Sequence, residues 1–238
     1  MLGSPHDSRR SAVSSPPPAP RPGMTPERVG MFSDAVFAIA ITLLVLEIPR
    51  PEEAQFGDLA GFLAERQGSF MAFALAFLML WFSWRAHHTL FDQLHRVTQP
   101  VLLLHVPLLL FAAFLPYTMN LWSEMSSFHG DGEASKGLAL ALFAGTEAIL
   151  MFCQGALFTL ALAQGLLNGN ASRRRMGTSA WVYWGCGVLW AVSAVLAFSL
   201  GEDSTYLWMA TPVVVAVIVF VRRRFAPGLV QPELPGQT

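Results

Sequence analysis

Residues 28–48 read RVGMFSDAVFAIAITLLVLEI. The stretch is apolar enough to enter a bilayer, yet it carries Ser33 and Asp34 near one end and Glu47 near the other. A helix rises about 1.5 Å per residue, so Asp34 and Glu47 stand only about 20 Å apart along it. The hydrocarbon core of a bilayer is about 30 Å thick. At least one of the two acids is therefore held by protein or by water at membrane depth, where ionisable groups are costly and point to function.

The rest of the composition agrees with a membrane setting. Of 238 residues, 53% are hydrophobic and 13% charged, with a mean hydropathy of +0.46. Soluble domains carry about 25% charged residues. Cys153 and Cys186 both fall inside apolar segments, so neither a disulfide framework nor zinc-type spacing is implied. The basic clusters are short and lack interleaved aromatics, which argues against nucleic-acid binding. No P-loop, Ser-His-Asp order or glycine-rich phosphate motif suggests an enzyme.

Outward from the opening stretch, the chain divides into six apolar helices. The first runs from Pro26 to Ile48, with Thr25 as N-cap, Pro26 at the first helical position, and Pro49 and Pro51 as its stop. The second spans Leu59 to Arg85 and ends near Trp81 and Trp84, as an interfacial belt would place them. The third spans Val97 to Trp122 and contains Pro100, Pro107 and Pro116, which transmembrane helices tolerate. The fourth, fifth and sixth are expected at Gly137–Leu167, Thr178–Leu200 and Thr205–Val221. Residues 1–25 form a Pro-rich leader expected to be disordered and cytoplasmic, 26–224 the six-helix membrane domain, and 225–238 a cytoplasmic tail. The leader lacks the apolar core of a signal peptide, and Met24 is a candidate start.

Arginine distribution orients the spans. Arg9, Arg10, Arg21 and Arg28 precede the first helix, Arg85 and Arg96 bracket the second connection, Arg173–Arg175 fill the fourth, and Arg222–Arg224 follow the sixth helix. The alternate connections hold Glu52, Glu53, Asp58, Glu65, Glu124, Asp131, Glu133, Glu202 and Asp203, opposed only by Arg50, Arg66 and Lys136. The excess of Lys and Arg marks the cytoplasmic side. Both termini are thus expected in the cytoplasm, in an all-α, multi-pass protein of the plasma membrane.

On the first helix, Ile39, Thr42, Leu43 and Leu46 recur at i, i+3, i+4 and i+7 and form one stripe. Asp34, Ala35 and Ala38 extend roughly the same side. Such a stripe is packing surface or a pore wall, and apolar rings are one way to gate a pore by dewetting. Here the string Arg28-Val-Gly-Met-Phe32-Ser33-Asp34 reproduces the RxxxFSD signature of the TMEM175 family of potassium channels. The following AVFAIAITLLVLEI resembles bacterial members, and the likeness covers Thr25 to Arg224. The resemblance implies a homotetramer in which the first helix of each subunit lines a central pore without a TVGYG filter. It further implies that Ile39 is the main constriction, Thr42 (or Leu43) a hydroxyl-level neighbour, and Leu46 a further apolar ring. Arg28, Phe32, Ser33 and Asp34 would belong to a network that fixes the rotation of this helix.

The resemblance also covers a Trp followed by a His pair, here Trp84, His87 and His88. His105, in the third helix, stands where relatives are expected to carry asparagine, and it is the candidate partner for the Asp34 end. These histidines serve either interhelical hydrogen bonding, pH sensing, or haem ligation in a redox protein. Glu147 and Gln154 lie seven residues apart on one face of the fourth helix, in packing or in a proton relay. Gly187 and Ala191 suggest close helix contact. The expected function is passive potassium conduction with no cofactor. A proton or poorly selective cation leak, a membrane redox subunit and a non-conducting structural protein are the alternatives.

Overall fold

The computed structural model describes residues 25–225 apart from positions 129 and 131. The leader, the tail beyond 225 and Asp131 lie outside the described residues. Helix α1 covers Pro26–Leu43, entered through an extended Thr25 with Pro26 in its first turn, and tightens into a 3-10 turn at Leu44–Glu47. Short α2, Leu59–Glu65, is capped by Asp58, whose carboxylate accepts from the Gly61 N–H at 2.9 Å. Then come α3, Gln67–Phe91, α4, Gln99–Ser126, α5, Glu133–Ala163, and α6, Arg173–Leu200. A 3-10 segment, Gly201–Ala210, leads into α7, Thr211–Phe225.

Two boundaries differ from the sequence expectation for a physical reason. The second helix does not run unbroken from Leu59 to Arg85: it breaks at Arg66 and then continues through RAHHTLF to Phe91. Leu90 and Phe91 are buried, so packing carries the helix past the end of its apolar run and places both His87 and His88 on it. The last helix starts later than Thr205, because Pro212, lacking an N–H, sits in the first turn of α7.

Cross-links show how the ends are sorted. At one end, the His95 N–H donates to the Leu166 carbonyl at 3.0 Å and the Asn168 N–H to that of Gln93 at 2.7 Å. The loop after α3 is thus paired with the loop after α5. A Cβ on Gly30 of α1 would touch the Phe91 side chain at this end too, and Arg174 of α6 donates to the carbonyls of Arg222 and Arg223 of α7. At the other end, Asn120 Nδ2 of α4 donates to the Glu47 carbonyl at 2.7 Å, and Ser123 Oγ to Ser69 Oγ at 2.8 Å. Arg28, Arg96, Arg173–Arg175 and Arg222–Arg224 therefore gather at one end of the bundle, while Glu47 and the 3-10 segment with Glu202 and Asp203 mark the opposite one.

Among the described residues, five stretches are long and apolar enough to cross a membrane, and the fifth runs continuously from Arg173 to Arg224. That stretch is a hairpin rather than a rod. Gly201 ends α6 at φ 55, a left-handed conformation that glycine adopts without a steric penalty. Ser193 Oγ then donates to the Ser204 carbonyl, and Trp208 Nε1 donates to Ser193 Oγ. Further along, Gly185 of α6 faces Ile218 and Val214 of α7, and Gly177 faces Arg222.

Helix α5 is the centre of the bundle: 67% of its most apolar stretch is buried, against 28% for the α1 stretch. Its Phe143 stacks on Trp122 at 5.0 Å and meets Trp190 and Trp208, which stack on each other at 4.6 Å. This four-ring cluster ties α4, α5, α6 and the last connection together. Helix α1 stands at the periphery, and among the described long helices it packs chiefly on α3 and α4.

Candidate functional site

Helix α1 has two unlike faces. Val29, Ser33, Phe37, Ala40 and Leu44 follow i, i+3/i+4 spacing and are buried. On the opposite face Ile39 is 60% exposed and Leu46 59%, with Thr42 and Leu43 beside them. The exposed face is an apolar surface that none of the described residues covers. Thr42 Oγ1 donates back to the Ile39 carbonyl at 2.8 Å, leaving its lone pairs on the open side. Glu47 is half-buried, with its backbone carbonyl held by Asn120.

The four signature residues are not gathered into one network. Arg28 and Phe32 are i, i+4 neighbours, so they share a face, and that face is exposed: Phe32 is 64% accessible. Both line an open groove of about 1020 Å³ between α1 and α4, together with Gln99 and Val106. Ser33 points inward, where its hydroxyl donates to the Val29 carbonyl at 3.0 Å. Of the four residues expected in one network, Ser33 and Asp34 make side-chain hydrogen bonds, whereas no ion pair joins Arg28 to Asp34 among the described residues and Phe32 stays exposed.

Asp34 takes its partners from α3. Its Oδ1 accepts from Trp84 Nε1 at 2.8 Å, and Oδ2 lies 3.3 Å from His88 Nδ1. Trp84 and His88 stack at 5.4 Å, so one turn of α3 presents both groups to one carboxylate. Asp34 also lies off the Ile39 stripe, contrary to the sequence expectation. Five residues at about 100° each leave it about 140° around the helix from Ile39. The aspartate faces the neighbouring helix, and the stripe faces away from it.

His105 does not reach Asp34. Its Nδ1 is 2.6 Å from the Val101 carbonyl, and its Nε2 is 2.9 Å from His87 Nε2. A carbonyl only accepts, so His105 Nδ1 carries the proton and Nε2 is the acceptor of the neutral ring. His87 Nε2–H therefore donates, and the unpartnered His87 Nδ1 is a bare lone pair rather than a stranded donor. Phe91 stacks on His87 at 4.3 Å and meets His105 edge-on at 4.9 Å. The adjacent histidines thus serve different helices: His87 joins α3 to α4, and His88 joins α3 to α1.

In α5, Gln154 donates to the carbonyl and the hydroxyl of Ser83 at 2.7 and 3.0 Å, locking α5 to α3. Ser83 was not singled out in the sequence, although it is the one hydroxyl in the run FMAFALAFLMLWFSW. Glu147 is fully buried, and among the described residues neither carboxyl oxygen has a hydrogen-bond partner. Gly187 is met closely by the Phe152 ring, so α5 and α6 do approach there.

Comparison with known proteins places this arrangement. A family described as "Endosomal/lysosomal potassium channel TMEM175" matches residues 28–116, the part holding nearly all of α1, then α2, α3 and α4 as far as Pro116. The chain is 36% identical over 97 residues to a potassium channel from Streptomyces collinus, covering 41% of this chain and 47% of that one. It is 30% identical over 136 residues to a potassium channel from a Chryseobacterium species, covering 56% of this chain and 68% of that one. An endosomal/lysosomal proton channel TMEM175 from Bos taurus is 29% identical over 204 residues, 81% of this chain but 42% of the bovine protein. The chain thus spans about half the length of the Streptomyces and bovine relatives. The crystal structure of a lysosomal potassium-selective channel TMEM175 homolog from Chamaesiphon minutus superposes with a TM-score of 0.63 at 25% identity, covering 84% of this chain and 97% of that one. An apolar α1 with an uncovered face, bound to its neighbour through the aspartate of an RxxxFSD string, accompanies these likenesses, and the chain belongs to the TMEM175 family of ion channels.

Proposed function

We propose that this protein is a potassium channel subunit. Four copies surround a pore lined by α1, with six membrane crossings and both termini in the cytoplasm of a cell whose plasma membrane it spans. The observation that carries the reading is the uncovered apolar stripe of Ile39, Thr42, Leu43 and Leu46 on a peripheral helix. Burying a Leu or Ile side chain is worth about 1.5–3 kcal/mol when the alternative is water. A stripe turned to lipid would need no Thr42, whereas four stripes meeting on an axis give stacked rings of one side chain each. The α1–α4 groove, with Phe32 on its wall, offers the adjoining seat for a neighbouring copy.

In this arrangement Ile39 forms the narrowest ring and keeps the closed pore dry. A small widening admits a partly hydrated cation, and the Thr42 hydroxyls replace some of the lost water. Asp34, Trp84 and His88 hold the rotation of α1 rather than touch the ion. The hairpin of α6 and α7 supplies the fifth and sixth crossings.

Current through a bilayer containing the purified protein, under opposed potassium and sodium gradients, tests this. A reversal potential near that of potassium is expected, and Ile39→Asn raises basal conductance severalfold by wetting the ring. Silent bilayers from inserted tetramers would overturn the channel reading, and an unchanged conductance in Ile39→Asn would overturn the pore assignment. The second reading, proton conduction through the same path, is favoured by the name of the bovine relative. In the same recordings it would shift the reversal potential with pH instead of with potassium. The haem reading is disfavoured by geometry, since His87 and His105 are bonded to each other and His88 to Asp34.

A further inference from the structure

We propose that the cavity between the start of α6 and the end of α7 binds the phosphate of an anionic phospholipid headgroup. The α6–α7 hairpin brings together two arginine runs that lie far apart in sequence, Arg173–Arg175 and Arg222–Arg224. Between them lies a cavity of about 780 Å³ walled by Arg174, Arg175 and Arg223. Among the described residues no carboxylate lies within ion-pair distance of any of these arginines; the ion pairs present there join other residues. Like charges held this close repel, and a phosphate with its several acceptor oxygens offsets that repulsion through charge-assisted hydrogen bonds.

The fold holds the cations in place. Arg174 is braced by donating to the Arg223 carbonyl at 3.0 Å, which uses one guanidinium nitrogen and leaves other N–H groups free. Ser172 Oγ caps the Arg175 N–H at 3.3 Å, so the positive end of the 28-residue helix α6 opens at the same place. Thr178 and Ser179 add hydroxyls to the wall.

The remaining wall distinguishes a lipid from a free anion. Val182 and Val219 line the cavity one to two turns further along their helices, toward the middle of the bundle. A phosphate seated among the arginines would thus have an apolar wall below it for its acyl chains. The place in the fold agrees: α6 packs on α5, and α7 packs on α6 at the edge of the bundle, away from α1. With α1 on the pore axis, this cavity opens on the lipid side. The inference rests on the proposed assembly around α1 and on the proposed orientation, with the arginine end in the cytoplasmic leaflet, but not on conduction.

The test is native mass spectrometry of the full-length protein, purified in detergent and supplied with equal amounts of phosphatidylglycerol and phosphatidylcholine. Phosphatidylglycerol is expected to be retained at least about tenfold over phosphatidylcholine, from two or three arginine contacts. The double variant Arg174→Gln/Arg223→Gln should lose that preference. Arg173→Gln/Arg224→Gln, which removes equal charge outside the cavity wall, should keep it. Val219→Trp, which fills the cavity and leaves every arginine in place, should also lose it, and so covers the case in which the double variant misfolds. Equal loss in both double variants would reduce the effect to diffuse surface charge and overturn the site. Displacement of the lipid by millimolar inorganic phosphate alone would assign the cavity to a soluble anion and overturn the lipid reading. Retention unchanged by Val219→Trp would overturn the location. A silent bilayer would leave these readouts untouched.

Discussion

Asp34 owes its position to a single turn of α3. Trp84 Nε1 and His88 Nδ1 reach its two oxygens at 2.8 and 3.3 Å. The tryptophan contact is the stronger, being a short N–H bond to a carboxylate, a class worth about 1.5–3 kcal/mol. The histidine contact is longer and its ring is half exposed, so it contributes at the lower level of exposed pairs. Trp84→Phe, which keeps the ring and removes the donor, is therefore expected to destabilise the protein by about 1.5–3 kcal/mol in denaturant titration of the detergent-solubilised protein. His88→Phe should cost less than about 1 kcal/mol. Equal costs would show that the aspartate is held otherwise. At this scale the sequence displayed which residues matter better than how they pair. Asp34 was visible as an acid within an apolar helix, Trp84 as an interfacial aromatic, and Trp84 and His88 together through the family resemblance. The partnership of His105 with His87 was not, because adjacent residues on a helix point about 100° apart and nothing local says which neighbour each one meets. The same applies to Glu147, whose position on α5 was legible but not the absence of any partner for its oxygens.

The long helices were legible from their apolar runs, and their ends were less so. Helix α3 outlasts its apolar stretch because Leu90 and Phe91 are buried by tertiary contact, which no local propensity encodes. Close approaches between helices are equally non-local. A Cβ on Gly137 of α5 would stand 2.8 Å from the Ala197 carbonyl oxygen of α6, and rigid backbone cannot yield as a side-chain tip can. Gly145, two turns on, has open space in the same respect. The two glycines should therefore respond with opposite signs. Gly137→Val is expected to destabilise by about 1–3 kcal/mol through overpacking. Gly145→Ala is expected to stabilise by about 0.5–1 kcal/mol, since glycine in a helix interior loses more backbone freedom on folding than alanine. Thermal unfolding followed by circular dichroism checks both: unchanged stability in Gly137→Val would mean that the α5–α6 spacing is not set there, and a loss in Gly145→Ala would mean that Gly145 is closely packed.

For the molecule as a whole, the arginine pattern and the packing describe one arrangement by independent routes. The sequence separates basic from acidic connections. The structure joins the loops after α3 and α5 by main-chain hydrogen bonds and sets Arg174 against the end of α7. The sequence reads the segment from Arg173 to Arg224 as two helices parted at Glu202 and Asp203, although its apolar character is nearly continuous. The left-handed Gly201 and the bonds from Ser193 and Trp208 make it a hairpin, so Asp203 should face the opposite side of the membrane from Asn170. Cysteine labelling is well suited to check this, since both native cysteines, Cys153 and Cys186, are buried and give little background. With a membrane-impermeant thiol reagent on intact cells, Asp203→Cys should label directly, and Asn170→Cys only after the membrane is opened. Labelling of both positions from the same side would mean that α6 and α7 do not form two crossings. The arginine-walled cavity between them would then lose its place at the cytoplasmic face.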